Sequence, residues 1–250
     1  MVILQVENLK KAFGGLQAVN NVSFTIEKGE LSSIIGPNGA GKTTLFNLIT
    51  GFLSPDSGKV LFKGESIFRM AHYKIVRKGI ARSFQRTNIF PTLTVFENVR
   101  AAILFHQKKN FRFFTNAHAL KEVNEATAQI LESLNLMDKA HLTSNTLAHG
   151  DQKRLELGIA LSVHPTLLLL DEPTQGMSPK ETVETTGLIE HLVKERGLTL
   201  IFVEHDMSVV FGISDSIKVM HQGRVIFSGK PEEVKKNDEV QRIYLGEGKG

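Results

Sequence analysis

Nine consecutive residues, Gly36-Pro37-Asn38-Gly39-Ala40-Gly41-Lys42-Thr43-Thr44, combine three glycines, one lysine and two threonines. This mixture suits a polyphosphate anion. Gly36, Gly39 and Gly41 let the main chain wrap a ligand with no Cβ in the way. Lys42 carries a cation long enough to reach the terminal phosphates, and the Thr43 hydroxyl follows it where a Mg2+ ligand is needed. A second set of reactive groups closes the stretch Leu167-Leu168-Leu169-Leu170-Asp171-Glu172-Pro173. Nucleotide hydrolysis needs a completed metal shell and a group that deprotonates the attacking water. Adjacent side chains diverge, so Asp171 is assigned to Mg2+ through water and Glu172 to general-base work. Taken alone, Asp-Glu after an apolar strand is an ordinary turn or helix cap. The phosphate loop upstream gives the pair its chemical meaning.

These groups need elements to hold them. Leu31–Ile35 reads as a mostly apolar strand entering the loop, and Lys42–Thr50 as an amphipathic helix leaving it, stopped by Gly51. A strand-to-helix turn leaves several backbone N–H groups without helical partners, aimed at one point. Further strands are expected at Val2–Val6, Val22–Ile26, Lys59–Phe62, Leu167–Leu170, Thr199–Val203, Ser216–Met220 and Arg224–Phe227. Leu167–Leu170 and Thr199–Val203 are apolar on both faces, as central strands of a parallel sheet must be. Alternating runs such as Val22-Ser23-Phe24-Thr25-Ile26 read as one-sided antiparallel strands. From Thr94 to Val163 the pattern is helical. The expected fold is therefore an α/β phosphate-loop core with a mixed sheet, an antiparallel β subdomain and an inserted helical lobe. Within the lobe, Phe105-His106-Gln107-Lys108-Lys109-Asn110-Phe111-Arg112-Phe113-Phe114 is both basic and aromatic. A packed helix end with solvated lysines accounts for it better than a partner contact does.

Composition sets outer bounds. At 250 residues, with 41% hydrophobic and 22% charged residues, the chain can bury a full α/β core. Cysteine is absent, which excludes disulfides and thiolate zinc sites and fits a reducing compartment. The N-terminus lacks the basic-then-apolar build of a signal peptide. The apolar runs Ala101–Phe105 and Leu167–Leu170 fall far short of a membrane span, so any membrane connection is expected to run through another protein. A net charge of +4 suits a polyphosphate ligand or a seat beside anionic lipid.

In order and spacing, the motifs resemble the ABC-type ATPases of membrane transporters over nearly the whole chain. The resemblance implies one ATPase domain over residues 1–250, with 1–85 and 164–250 as nucleotide-binding core and 86–163 as helical subdomain. It implies ATP and Mg2+ as cofactors, held by residues 36–44. Phe13 falls where the family stacks an aromatic ring on adenine. Gln85, in Ala81-Arg82-Ser83-Phe84-Gln85, matches the glutamine that joins the core to the lobe and senses Mg2+ and nucleotide. His205, in Val203-Glu204-His205-Asp206, matches the switch histidine that contacts the γ-phosphate. The implied catalytic set is Glu172, His205 and Gln85; the implied metal set is Thr43, Gln85 and, through water, Asp171.

The family's signature stretch, Leu-Ser-Gly-Gly-Gln, aligns with Leu147-Ala148-His149-Gly150-Asp151. In the family this loop grips the ATP bound by the opposite subunit. Ala148 lacks the serine hydroxyl, while the N–H groups of His149 and Gly150 and the helix dipole remain. Ser178, in Gly176-Met177-Ser178-Pro179, stands where most of the family has aspartate. That departure, with Phe13-Gly14-Gly15-Leu16-Gln17-Ala18-Val19, Glu204-His205-Asp206-Met207 and Gly229-Lys230-Pro231-Glu232-Glu233-Val234, is similar to subunits serving branched-chain amino-acid uptake. The partners implied are a second ATPase subunit, identical or related, membrane permease subunits, and indirectly a periplasmic or extracellular solute-binding protein. The location implied is peripheral, on the cytoplasmic face of the cell membrane. A lipopolysaccharide-export ATPase shares many of these features and is the alternative. A nucleic-acid ATPase is disfavoured: there is no coiled-coil insertion, zinc hook or basic stripe. A GTPase or kinase leaves Gln85, the signature-like stretch and His205 unexplained.

Overall fold

The computed structural model describes residues 1–83, 89–106 and 117–246. Leu31–Ile35 (β3), Leu167–Asp171 (β7) and Thr199–Val203 (β8) are buried at every position. They are neighbours in a six-stranded sheet with Ile80–Arg82 (β6), Ser216–His221 (β9) and Arg224–Gly229 (β10), ordered β10-β9-β3-β8-β7-β6. All the pairings are parallel except β9 with β10. Alternate residues along β7 explain the unbroken apolar run. Leu168 and Leu170 join one core with Leu188, Ile189 and Leu192, whereas Leu167 and Leu169 join another with Leu45, Phe46 and Ile49. Both faces are covered, so neither tolerates a polar residue without a partner.

A second, antiparallel sheet of order β2-β1-β4-β5 comprises Val2–Phe13 (β1), Leu16–Glu27 (β2), Ser57–Phe62 (β4) and Glu65–Ser66 (β5). The hairpin strands are much longer than Val2–Val6 and Val22–Ile26. Their register shifts between Val6 and Leu9 and again on either side of Lys11, so bulges break the alternation that sequence patterning relies on. The three-residue β6 has no counterpart among the expected strands, being too short to show a period.

Helix α1 (Lys42–Ile49) leaves the loop after β3, as expected, and α2 (His72–Lys78) precedes β6. Between Thr94 and Val163 the described residues hold α3 (Val95–His106), α4 (Ala117–Ser133) and α5 (His149–Leu161), with two short 3-10 turns, Met137–Lys139 and Ser144–Thr146. Among the described residues the lobe is helical, as the pattern predicted. Thr94 caps α3: its hydroxyl accepts from Glu97 N at 3.1 Å, and Glu97 Oε2 accepts from Thr94 N at 2.8 Å. Most of the basic-aromatic segment 105–114 lies outside the described residues. Pro179–Arg196 (α6), Met207–Ile213 (α7), Pro231–Lys236 (α8) and Asp238–Gly246 (α9) complete the chain. Ser178, the departure noted above, forms the N-cap of α6 in a capping box with Glu181. Serine is a favoured N-cap, because its hydroxyl accepts from the helix's first N–H groups.

Phe202, fully buried in β8, tests this packing. Phe202→Ala is expected to cost about 3–5 kcal/mol, read as a lower guanidinium midpoint with an unchanged slope. A midpoint equal to that of the unsubstituted chain would contradict the two-sided core.

Candidate functional site

The parallel strands β3, β8, β7 and β6 lie side by side and end on the same edge of the sheet. Residues separated widely in sequence meet there: the glycine-rich loop after β3, Glu204 and His205 after β8, Asp171 and Glu172 at the end of β7, and Arg82 at the end of β6. Ligands of open α/β sheets bind at such carboxyl ends.

The loop is shaped by two tight approaches. A Cβ on Gly36 would meet Met220 O at 2.2 Å, and one on Gly41 would meet Ala18 O at 2.2 Å, with Gly41 at φ 100°. Gly41 is also the N-cap of α1, which has no side-chain cap and no acidic residue in its first turn. The first N–H groups of α1 are therefore left to a ligand, and the helix dipole favours a negative one. Lys42 folds back on the loop: its Nζ donates to Gly36 O at 2.6 Å and to Pro37 O at 3.1 Å. Burial pulls the Lys42 ammonium below its ordinary pKa, against the opposing pull of the Glu172 and Asp171 carboxylates.

A cleft of about 680 Å³ runs over the loop, lined by Asn38–Thr44, Glu172 and His205 at one end and by Phe13, Leu16 and Ala18 at the other. Phe13 is 47% exposed, so its ring is not a core residue, and Lys11 Nζ lies 5.5 Å from its centroid. The cleft brings together the expected residues Phe13, 38–44, Glu172 and His205. Gly36 and Pro37 form the turn beneath.

Glu172 is held in an unusual state. It is 8% exposed, sits at φ 51°, and donates its N–H to Val203 O at 2.9 Å. A left-handed, non-glycine residue stores strain, which is common where a side chain must be aimed. Its Oε1 accepts from His205 Nε2 at 2.9 Å, while Oε2 is buried with no hydrogen-bond partner. The carboxylate is thus fixed on one oxygen and unsatisfied on the other, the arrangement a proton acceptor requires. Asp171, 2% exposed, is paired with Arg82 Nη2 at 2.8 Å. Glu204 Oε1 accepts from Thr174 N at 2.8 Å and Thr174 Oγ1 at 2.6 Å, and its Oε2 accepts from His205 N at 3.1 Å. It ties the segment after Glu172 to the one bearing His205.

Arg82, Asn47, Glu204 and Thr174 escaped the sequence reading. Glu204 had a signal: it is a charged residue directly after the apolar run Thr199–Val203, where charge demands a partner. Gln85 lies outside the described residues. Leu147–Asp151 stands apart from the cleft, with Ala148 as N-cap of α5. Leu147, Gly150 and Asp151 are buried, and Ala148 and His149 are exposed. Asp151 is tied within the chain to Lys139 at 2.5 Å and Arg154 at 3.6 Å, and His149 Nε2 donates to Gln175 O at 3.1 Å.

The Thr43 hydroxyl and Asp171 carboxylate are hard oxygen donors, the kind Mg2+ takes, and Glu172 Oε2 is a buried oxygen with no hydrogen-bond partner. Among the described residues no group of three or more His, Asp or Glu side chains could hold a metal by itself. Mg2+ in nucleotide sites is usually bound by one or two protein groups together with water and substrate phosphates.

The chain is similar to known proteins in both sequence and fold. Residues 19–175 match a family profile described as "ABC transporter", and residues 224–250 match one described as "Branched-chain amino acid ATP-binding cassette transporter". The chain is 42% identical over 250 residues to the high-affinity branched-chain amino acid transport ATP-binding protein BraF of Pseudomonas aeruginosa, covering 98% of each. It is 40% identical over 252 residues to LivG of Escherichia coli, of the same description, again covering 98% of each. Among solved structures, a nucleotide-free ATP-binding cassette from an ABC transporter superposes with a TM-score of 0.86 at 31% identity, covering 98% of this chain and 99% of that one.

The close approach at Gly41 yields a direct test. Gly41→Ala places a methyl against Ala18 O in a left-handed backbone, a strain of about 1–3 kcal/mol, so nucleotide affinity should fall about tenfold or more. Gly39→Ala, at φ 80°, shares the backbone strain but meets no atom within 4 Å and should cost less. Titration of a fluorescent ATP analogue ranks the two; equal affinities would contradict the loop geometry.

Proposed function

The chain belongs to the ABC transporter family of ATP-binding cassettes, and we propose that it is the ATPase subunit powering uptake of branched-chain or related amino acids. The observation that carries the ATPase reading is the cleft itself, which sets Lys42 and its uncapped helix opposite the Glu172–His205 pair. The amino-acid reading rests on the match of residues 224–250 and on the described function of the curated relatives.

Phe13 stacks on the adenine. The triphosphate replaces the Gly36 and Pro37 carbonyls as the partner of Lys42 and takes up the N–H groups of Gly39 and residues 41–44, the Ala40 N–H being donated to Pro37 O within the loop. Thr43 and, through water, Asp171 would hold Mg2+, which supplies charge neutralisation on the phosphates; Gln85 belongs to the same set. Glu172 accepts the proton of the attacking water at its unpartnered oxygen. His205, held beside the cleft by its bond to Glu172, faces the γ-phosphate.

Two cassettes, identical or related, face each other in this reading, each loop opposite the other's Leu147–Asp151. With Leu147, Gly150 and Asp151 buried within the chain, the exposed Ala148 and His149 and the N-terminus of α5 form the contact. ATP links surfaces that associate weakly without it, so closure follows nucleotide and opening follows hydrolysis. The helical subdomain, 86–163, carries that motion to permease subunits at the cytoplasmic face of the membrane. Among the described residues no helix is long and apolar enough to cross it. A solute-binding protein outside the membrane delivers the amino acid, and no nucleic acid takes part. Co-purification with an amino-acid-binding protein separates this reading from the exporter alternative.

Glu172→Gln should retain Mg-ATP affinity and lower turnover by about 10²–10⁴, measured by phosphate release; wild-type turnover would refute the base assignment. Lys42→Ala should lose nucleotide affinity by at least about tenfold, since charge-assisted hydrogen bonds are worth about 1.5–3 kcal/mol. Calorimetric titration with ATP decides it, and unchanged affinity would refute the cradle.

A further inference from the structure

Arg82 is a buried charge that the mechanism above leaves unused. Its side chain is 4% exposed at the end of β6, and Nη2 donates to Oδ2 of Asp171 at 2.8 Å. Nη1 donates to Asn47 Oδ1 on α1, the helix that grows from the phosphate loop. The guanidinium lies over the Phe46 ring, 5.4 Å from its centroid. One planar cation thus joins the strand bearing Asp171 to the loop's helix, three residues before Gln85 in the chain. The same side chain lines a cavity of about 150 Å³ between α2 and α5, with His72, Ser83 and Glu156.

Neutralising a buried carboxylate requires only a cation. The geometry here is more demanding, because two nitrogens of one rigid fork engage two acceptors on different elements. A lysine ammonium matches the charge but not the plane or the two fixed directions. A buried ion pair is moreover a weak source of stability, so its presence points to a positional role.

We propose that Arg82 is a positioning residue for Mg2+, which holds Asp171 and Asn47 in one plane and so aims the carboxylate toward the metal's water shell beside Thr43. This rests on the reading of Asp171 as a Mg2+ residue. Groups that orient metal-binding side chains typically change metal affinity 10–100-fold when replaced.

The test uses the full chain with Arg82→Met, Arg82→Lys and Asn47→Ala. A fluorescent ATP analogue is titrated in EDTA and in Mg2+, the Mg2+ dependence of ATP hydrolysis is recorded, and Mn2+ bound beside ATP is counted by paramagnetic resonance. Affinity in EDTA should stay within about twofold of the unsubstituted chain. Half-saturating Mg2+ should rise about tenfold or more in Arg82→Met, less in Arg82→Lys and Asn47→Ala, with kcat restored within a few fold at saturating Mg2+. Mn2+ binding should weaken in the same order. Folded variants whose Mg2+ and Mn2+ curves overlay those of the unsubstituted chain would overturn the proposal. So would an equal loss of affinity in EDTA and in Mg2+, because Arg82 would then support the cradle rather than the metal. If Arg82→Met does not fold, Arg82→Lys and Asn47→Ala decide by the same criteria. An unsubstituted chain that binds no nucleotide in either condition would defeat the functional reading first, and this inference with it.

Discussion

The structure is organised around a deficit of hydrogen-bond partners. Where β3 turns into α1, first-turn N–H groups converge with no cap and no acidic side chain to receive them. At three other helices the same need is met by the chain's own side chains: Ser178 caps α6, Asp206 caps α7, and Thr94 with Glu97 caps α3, whereas α2 and α5 start at Ala71 and Ala148 without a side-chain cap. At the loop the same need is left open, and Lys42 turns onto two carbonyls of its own backbone. A triphosphate supplies what both lack, an anion rich in acceptor oxygens. Everything nearby either keeps the loop in that shape or works on what it holds.

Keeping the shape falls to packing. Gly36 and Gly41 press against the carbonyls of Met220 and Ala18, on β9 and β2, so both sheets bear on the loop. Working on the ligand falls to the neighbouring strand ends, where Glu204 pins Thr174 and the backbone of His205, and His205 in turn holds Glu172. Each buried carboxylate in this set has a named partner, and the one buried oxygen among them without a hydrogen-bond partner, Glu172 Oε2, is the atom the chemistry needs. Polar groups are costly to bury, so a native fold keeps such an orphan where function offsets the cost.

Much of this was legible in the sequence, for reasons that can be named. The strand–loop–helix around residues 31–50 announces itself because burial on both faces, glycine spacing and helix periodicity all act locally. Ser32 and Ser33 are fully buried in β3, yet they barely disturb its apolar reading because they are small. The long hairpin was only half visible, since bulges around Leu9 and Lys11 scramble its alternation. Strand β6 was invisible, because three residues carry no period and the strand exists only through its pairing with β7. Missing it also hid Arg82, whose partners lie on α1 and β7. The inward tie of Asp151 to Lys139 depends on how the lobe folds back on α5, which no local pattern encodes.

The central claim is that Lys42 and the main-chain amides of the loop close on a triphosphate, with Glu172 beside its last phosphate. A crystal structure of the Glu172→Gln chain grown with Mg-ATP tests it most directly. The account predicts the γ-phosphate within hydrogen-bond reach of Lys42 Nζ, the ammonium detached from the Gly36 and Pro37 carbonyls, and residue 172 facing the terminal phosphorus. Nucleotide bound elsewhere, or Lys42 still bonded to its own backbone over an occupied cleft, would contradict it.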